Sequence, residues 1–270
     1  MRERFSLFLF STDTAFITRA VAGGADGVIV DWEYAGKETR QRFADTQINR
    51  DTPEDLRRVR GCIEATVICR VNAYGETTAV EVEQAIEAGA DEILLPMVRT
   101  VEDVEDVLEK VRGRCGVGIL IETVAAVASA KEFSRLPLSR VYVGLNDLAI
   151  GRRTPNIFSS VADGTVERVR AAFDVPFGFA GLTLPDRGHP IPCRLLIGEM
   201  ARLGCRFSFL RRSFHRDIRG RDPAVEIPRL SEAIRFARFR PAETVKRDRM
   251  DLENAVSAWT AALSPVEEHA

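Results

Sequence analysis

The chain has no apolar run that approaches the roughly 18 residues a membrane helix needs. It also lacks an excess of charge of either sign. Lys and Arg number 38 against 40 Asp and Glu, a formal net charge of −2, so there is no electrostatic argument for nucleic acid or an anionic membrane as a partner. Cysteine is scarce: the five residues (Cys62, Cys69, Cys115, Cys193, Cys205) are odd in number and nowhere spaced as CxxC. Three of them sit in apolar runs, where a thiol behaves as a small hydrophobe, and the plain reading is a reduced, cytoplasmic protein. Histidines number three, and His189 and His215 stand isolated, without metal-ligand spacing. No P-loop or GxGxxG follows a strand, which excludes the usual phosphate cradles. The opening "MRERFSLFLFSTDTAF" combines basic residues with a short apolar patch. That patch runs into Ser11, Thr12 and Asp13 without a cleavage-like site, so it reads as a first strand and not as a secretory signal.

What is present points to one large α/β unit. The 270 residues, 45% hydrophobic and 29% charged, suffice for a full core and fit either two domains or one barrel of about 250 residues. Short apolar runs predict strands at Phe5–Phe10, Gly27–Asp31, Val67–Val71, Glu92–Leu95, Val117–Ile121, Arg140–Val143, Phe177–Ala180 and Arg206–Leu210. Between them lie helical patterns such as Thr77–Ala88 and Val101–Arg112, with apolar residues three and four apart. "AVAGGADGVIVD" and "AIEAGADEILLP" resemble each other, each a helix end closed by Gly and followed by a continuous apolar strand. Strands apolar throughout and separated by helices mean a parallel sheet covered on both faces. The expectation is an α/β fold, a (β/α)8 TIM barrel over residues 1–240 with a C-terminal helical extension over 241–270. A doubly wound open sheet is the rival.

In such a barrel, catalytic groups sit at the C-terminal ends of strands. Those ends carry Asp31 and Glu33, Arg70 and Asn72, Pro96, Glu122, then Asn146 and Asp147. Glu122 and Asp147 follow adjacent strands directly. Two carboxylates at one barrel mouth repel unless a cation or a proton joins them, and oxygen-only ligation suits Mg2+ or Mn2+. The blander readings are a helix N-terminal acid for Glu122 and an N-cap for Asp147. Arg70 faces the same mouth, where its fork would clamp the carboxylate of a substrate or form an ion pair with Asp31 or Glu33. Those two acids share a face by the two-residue period; they could act as a base, orient water, or pair with Arg70 or Lys37. Arg211 and Arg212, after strand eight, mark either a phosphate site or a solvated basic loop.

At this point "CRVNAYG", "AGADEILLPMVRTVEDV", "LIETVAAVASAKEF" and "VYVGLNDLAIG" resemble the family of citrate lyase beta subunits and hydroxy-oxo-acid aldolases, over roughly residues 20–155. The resemblance implies a (β/α)8 barrel, usually oligomeric, that binds Mg2+ or Mn2+ and a pyruvate-like or oxaloacetate-like acid. By motif, Glu122 and Asp147 match the metal ligands, Arg70 the arginine on the carboxylate or carbonyl, and Asp31 with Glu33 the acidic pair of the lyase-like branch. Leu120 stands where the aldolase branch commonly has Gln, and Met97 where the lyase branch often has Lys.

The expected activity is Mg2+-dependent carbon–carbon cleavage or formation on a 2-oxo acid or a hydroxyacyl thioester, through a metal-stabilised enolate. Arg70 and Asn146 are expected to hold the acid, presented free or as a coenzyme A thioester. The base is Asp31, Glu33, a metal-bound water, or Asp248 or Asp251 of the C-terminal segment. Hydrolysis of the thioester at the same metal and a non-catalytic acid-binding subunit are the alternatives. Leu252, Val256, Trp259 and Leu263 recur at helical spacing, an apolar face that must be covered. The expectation is a homo-oligomer with this helix across the subunit interface.

Overall fold

Parallel strands and intervening helices follow one another in the order the hydrophobic pattern predicts. The computed structural model describes residues 4–34 and 51–263. Its strands are β1 (Ser6–Phe10), β2 (Gly27–Asp31), β3 (Thr66–Arg70), β4 (Glu92–Leu95), β5 (Gly116–Ile121), β6 (Arg140–Val143), β7 (Phe177–Phe179) and β8 (Phe207–Leu210). Each boundary lies within one residue of the position read from the sequence. Consecutive strands pair in parallel from β1 to β7, and β8 lies beside β1. The remaining seam is drawn together by Arg206 N–H donating to the Phe177 carbonyl and Ser208 Oγ donating to that of Phe179, both at 2.9 Å. This is a (β/α)8 barrel, and the open-sheet rival falls with it.

The resemblance between "AVAGGADGVIVD" and "AIEAGADEILLP" has a physical basis. Helix α1 (Thr14–Ala22) and helix α3 (Thr78–Glu87; α2 is Pro53–Cys62) each end at a glycine of positive φ, Gly24 and Gly89. The following alanine N–H then bonds back to Ala20 or Ala85, at 3.0 Å in both. The aspartate after it caps the start of the preceding strand: Asp26 accepts from Leu7 N–H at 2.9 Å and Asp91 from Val67 N–H at 2.8 Å.

Alternation along the strands separates two apolar clusters. Leu7, Val28, Val67 and Ile93 face the helices, whereas Phe8, Ile29, Ile68, Leu94, Leu120 and Phe209 fill the lumen. Low in that lumen Glu92 is paired with Arg140 at 2.6 Å, and the guanidinium lies over the Phe8 and Phe207 rings, 4.2 and 5.1 Å from their centroids.

The remaining helices are α4 (Val101–Val111), α5 (Val124–Ala128), α6 (Ala130–Phe133), α7 (Leu145–Arg152), α8 (Ser159–Ala162), α9 (Thr165–Ala172), α10 (Cys193–Arg202), α11 (Arg212–Asp217), α12 (Pro223–Ala237) and α13 (Ala242–Leu263). Helix α13 packs on its own barrel through part of its apolar face: Leu252 and Val256 are buried in the main core, and Asn156 Nδ2 donates to the Val256 carbonyl and to Thr260 Oγ1, each at 2.9 Å. Arg249 ties the helix to the Val161 and Ala162 carbonyls of α8. Asp248 is engaged by Arg240 and, at 3.9 Å, by Arg194 on the outer wall. Among the described residues no helix is long and apolar enough to cross a membrane.

Candidate active site

The C-terminal strand ends converge on a cavity of about 1110 Å³. Its floor is built by Phe10, Arg70, Leu120, Glu122, Tyr142 and Arg211, and Asn146 and Asp147 line it from the start of α7. The expected metal ligands and the expected arginine therefore share one chamber. Asp31 and Glu33 stand directly behind Arg70.

Glu122 follows the last residue of β5 and is buried. The short helix after it is capped by Thr123, whose Oγ1 accepts from Ala126 N–H and donates to the Val98 carbonyl, so Glu122 does not serve as a helix-end acid. Its Oε1 accepts from Met97 N–H at 2.9 Å. Met97 presents that N–H from a left-handed backbone, φ 54°, a conformation that costs a side-chain-bearing residue about 1–2 kcal/mol. On its other side the carboxylate lies against Gly144, where any Cβ would stand 2.2 Å from Oε2; only glycine admits it. Asp147 occupies the first turn of α7, whose N-cap is Gly144, so Asp147 is not the N-cap. Burial above all, then the Asp147 and Glu33 charges, push the Glu122 carboxyl up to about 8, against the pull of Arg70. Two acids are being held together that would separate in water.

Arg70 forms the ion pair that was one of its two expected roles. It lies across the β2–β3 ladder from Asp31, and its Nε and Nη2 donate to both oxygens of that carboxylate at 2.8 and 2.6 Å. Nη1 meets Glu33 Oε2 at 2.9 Å. All three side chains are at most 3% exposed. Burial opposes the charge on Arg70, yet Asp31 and Glu33 hold its pKa above the ordinary range. The fork is thus committed to Asp31, and of its five donors the remaining ones are those available to a ligand. Lys37, the other partner considered for the acids, lies outside the described residues.

Several groups at the mouth were missed or underweighted. Arg211, half-buried, approaches Asp31 Oδ2 at 3.5 Å and lies 4.9 Å from the Phe10 ring, which Arg70 also faces at 5.0 Å. Burial and the Arg70 charge bring its pKa down to about 10. Asp51 accepts from the Asp31 backbone N–H at 2.9 Å, and burial raises its carboxyl to about 6. His215 Nε2 meets the Phe10 carbonyl at 2.5 Å; a carbonyl only accepts, so Nε2 carries the hydrogen and Nδ1 is the acceptor nitrogen. Burial lowers its pKa, which keeps the ring neutral at neutral pH. Tyr142 stacks on Phe209 with centroids 4.0 Å apart. Strand alternation could have placed Tyr142 in the lumen, two residues after Arg140; nothing local marks Asp51.

Among the described residues no cluster of three or more His, Cys, Asp or Glu side chains is arranged to hold a metal. Glu122 and Asp147 form a two-carboxylate set, and that fits Mg2+, which keeps several waters and takes one or two protein carboxylates. Burial and then the Asp147 charge oppose ionisation of Glu122, a cost that either a proton or a cation at the pair would offset.

Residues 4–156 match the HpcH/HpaI aldolase/citrate lyase family. No curated protein matches. Among solved structures, RipC from Yersinia pestis superimposes with a TM-score of 0.58 at 14% identity, over 91% of this chain and 100% of that one. Tryptophan synthase from M. tuberculosis, in an open form with BRD0059 bound, gives 0.60 at 14% identity, over 87% and 94%. These likenesses are likenesses of fold.

Proposed function

This chain belongs to the HpcH/HpaI aldolase/citrate lyase family and is a lyase-type enzyme, and we propose that it makes or breaks a carbon–carbon bond beside the oxo group of a carboxylic acid. The reading includes a divalent cation, Mg2+ or Mn2+, held by Glu122 and Asp147. One observation carries it. Glu122, buried at the end of β5, and Asp147, in the first turn of α7, line one cavity, and the Asp147 charge opposes ionisation of Glu122, an arrangement that a cation between them would relieve.

In the cleavage direction a base takes the substrate's hydroxyl proton and the O–H electrons form the new carbonyl. The carbon–carbon bond breaks, and its electrons pass into the enolate of the acid fragment, which is then protonated at carbon. That enolate needs stabilising charge. Among the described residues the lysines (Lys110, Lys131, Lys246) lie on α4, α6 and α13, and none lines the cavity, so no described amine is placed for a Schiff base. A bound divalent cation supplies a Lewis acid for the enolate oxygen. The chain's own part is electrostatic and steric. Arg70, locked by Asp31 and Glu33, presents a fixed positive charge to the acid; Met97 N–H and Gly144 fix the Glu122 carboxylate; Asn146 offers an amide to the substrate. His215, neutral and with Nδ1 as acceptor, is the group lining the cavity best suited to take the hydroxyl proton. Asp248 and Asp251 do not line this chain's own cavity.

The test is exchange of the methyl protons of pyruvate for deuterium, followed by NMR in D2O with Mg2+ or Mn2+. Metal-dependent exchange that disappears in Glu122→Gln is the expected result. Pyruvate that keeps its protons with either metal would remove the reading.

A further inference from the structure

We infer that the substrate of this site carries a bulky apolar tail beyond its carboxylate end, read by Trp259 and Leu263 of the C-terminal helix. The inference rests on the acid-binding reading above for the head of the molecule and adds the class of group attached to it. Size comes first. An acid of three or four carbons displaces only a few waters, at about 30 Å³ each, whereas the cavity holds about 1110 Å³. Most of the chamber lies beyond the head.

The cavity is two-sided. Arg70, Glu122 and Asp147 belong to the floor, while Ile157, Phe158, Leu182, Trp259 and Leu263 contribute an apolar wall. Phe158 and Leu182 are buried, and they come from separate segments, the chain after α7 and the loop after β7. Trp259 packs edge-on against His189 with centroids 5.4 Å apart. The turn of helix that carries it is fixed by the Asn156 side chain on the Val256 carbonyl and Thr260 Oγ1. Concave sites lined by apolar and aromatic side chains around a few convergent polar groups are built for ligands with an apolar body and a polar head, and a wall anchored in advance loses little freedom when the ligand arrives. Arg212, Arg216 and Arg219 line a further side, from α11 and just beyond it; Arg216 pairs with Asp217 at 2.8 Å. A tail ending in negative charge is therefore the competing occupant, and the test must separate the two.

Calorimetry on the full chain with saturating Mg2+ compares pyruvate, 2-oxooctanoate and the eight-carbon oxo acid that ends in a second carboxylate. The expected result is at least tenfold tighter binding of 2-oxooctanoate than of pyruvate, a ratio that collapses to under threefold in Trp259→Ala and in the milder Leu263→Ser. Equal affinity for the three acids, or a preference for the doubly charged one, would overturn the apolar tail. A preference that survives both substitutions would overturn the role of the helix. Binding of none of the acids would sink the acid-site reading and this inference with it, whereas pyruvate binding without tail preference would sink the inference alone.

Discussion

Two buried arginine–carboxylate groups occupy the same lumen, one at its lower end and one at its mouth, and they differ in balance. Below, Arg140 meets one acid, Glu92, and its guanidinium lies against the Phe8 and Phe207 rings. The charges cancel and apolar rings seal them in. Above, Arg70 meets Asp31 and Glu33, Arg211 also approaches Asp31, and Glu122 and Asp147 line the same large cavity. A closed pair positions strands; the group at the mouth is the one to which the proposed function gives a charged ligand. Burial is alike in both places, so it is the sum of charges and the access to solvent that separate structure from chemistry.

The comparison can be broken first by removing one acid from each group. Glu92→Gln leaves Arg140 buried without its counter-charge and is expected to cost about 3–5 kcal/mol in denaturant unfolding. Glu122→Gln in metal-free protein is expected to cost nothing or to stabilise, because the carboxyl it replaces is already protonated up to about pH 8. Equal losses at both positions would erase the distinction. Next in size is the metal itself: Glu122→Gln or Asp147→Asn should weaken Mg2+ binding at least a hundredfold, about 2.7 kcal/mol, with the fold intact. Unchanged affinity by calorimetry would remove these residues as ligands. Arg70→Lys keeps a charge but loses the lock on Asp31 and the guanidinium donors left for a ligand, so the dissociation constant of the acid should rise about tenfold, roughly 1.4 kcal/mol. Wild-type affinity would leave Arg70 a purely structural partner of Asp31.

A further effect is graded with pH. Glu122 has a folded pKa near 8 against about 4.3 in an unfolded chain, so between those values the folded state binds more protons. Stability of the metal-free protein should therefore fall as pH rises through that window, by at most about 1.4 kcal/mol per unit for one group. Saturating Mg2+, or Glu122→Gln, should flatten the fall in thermal melts between pH 5 and pH 8.

Much of this was legible in the sequence because it depends on local pattern. Continuous apolar runs placed all eight strands, and the rule that chemistry gathers at strand ends brought Asp31, Glu33, Arg70, Glu122 and Asp147 to one mouth. What the sequence did not show depends on register and on long-range packing. That Arg70 faces Asp31 follows from the β2–β3 alignment, which no short stretch encodes. Glu92 was read as a strand residue, but its burial beside Arg140 needs partners 48 positions apart. The course of α13 is set by Asn156, 100 residues from Val256; its apolar spacing said that a surface must cover it, without saying which.

That course has a consequence for how the molecule can change. Part of the chamber wall is written in residues 242–263, outside the eight repeating units, whereas Arg70, Glu122 and Asp147 are written within them. On the function proposed above, one part of the chamber's shape is separable along the chain from its reactive groups, and an exchange of the last helix between relatives becomes a way to re-address one catalyst to a new molecule.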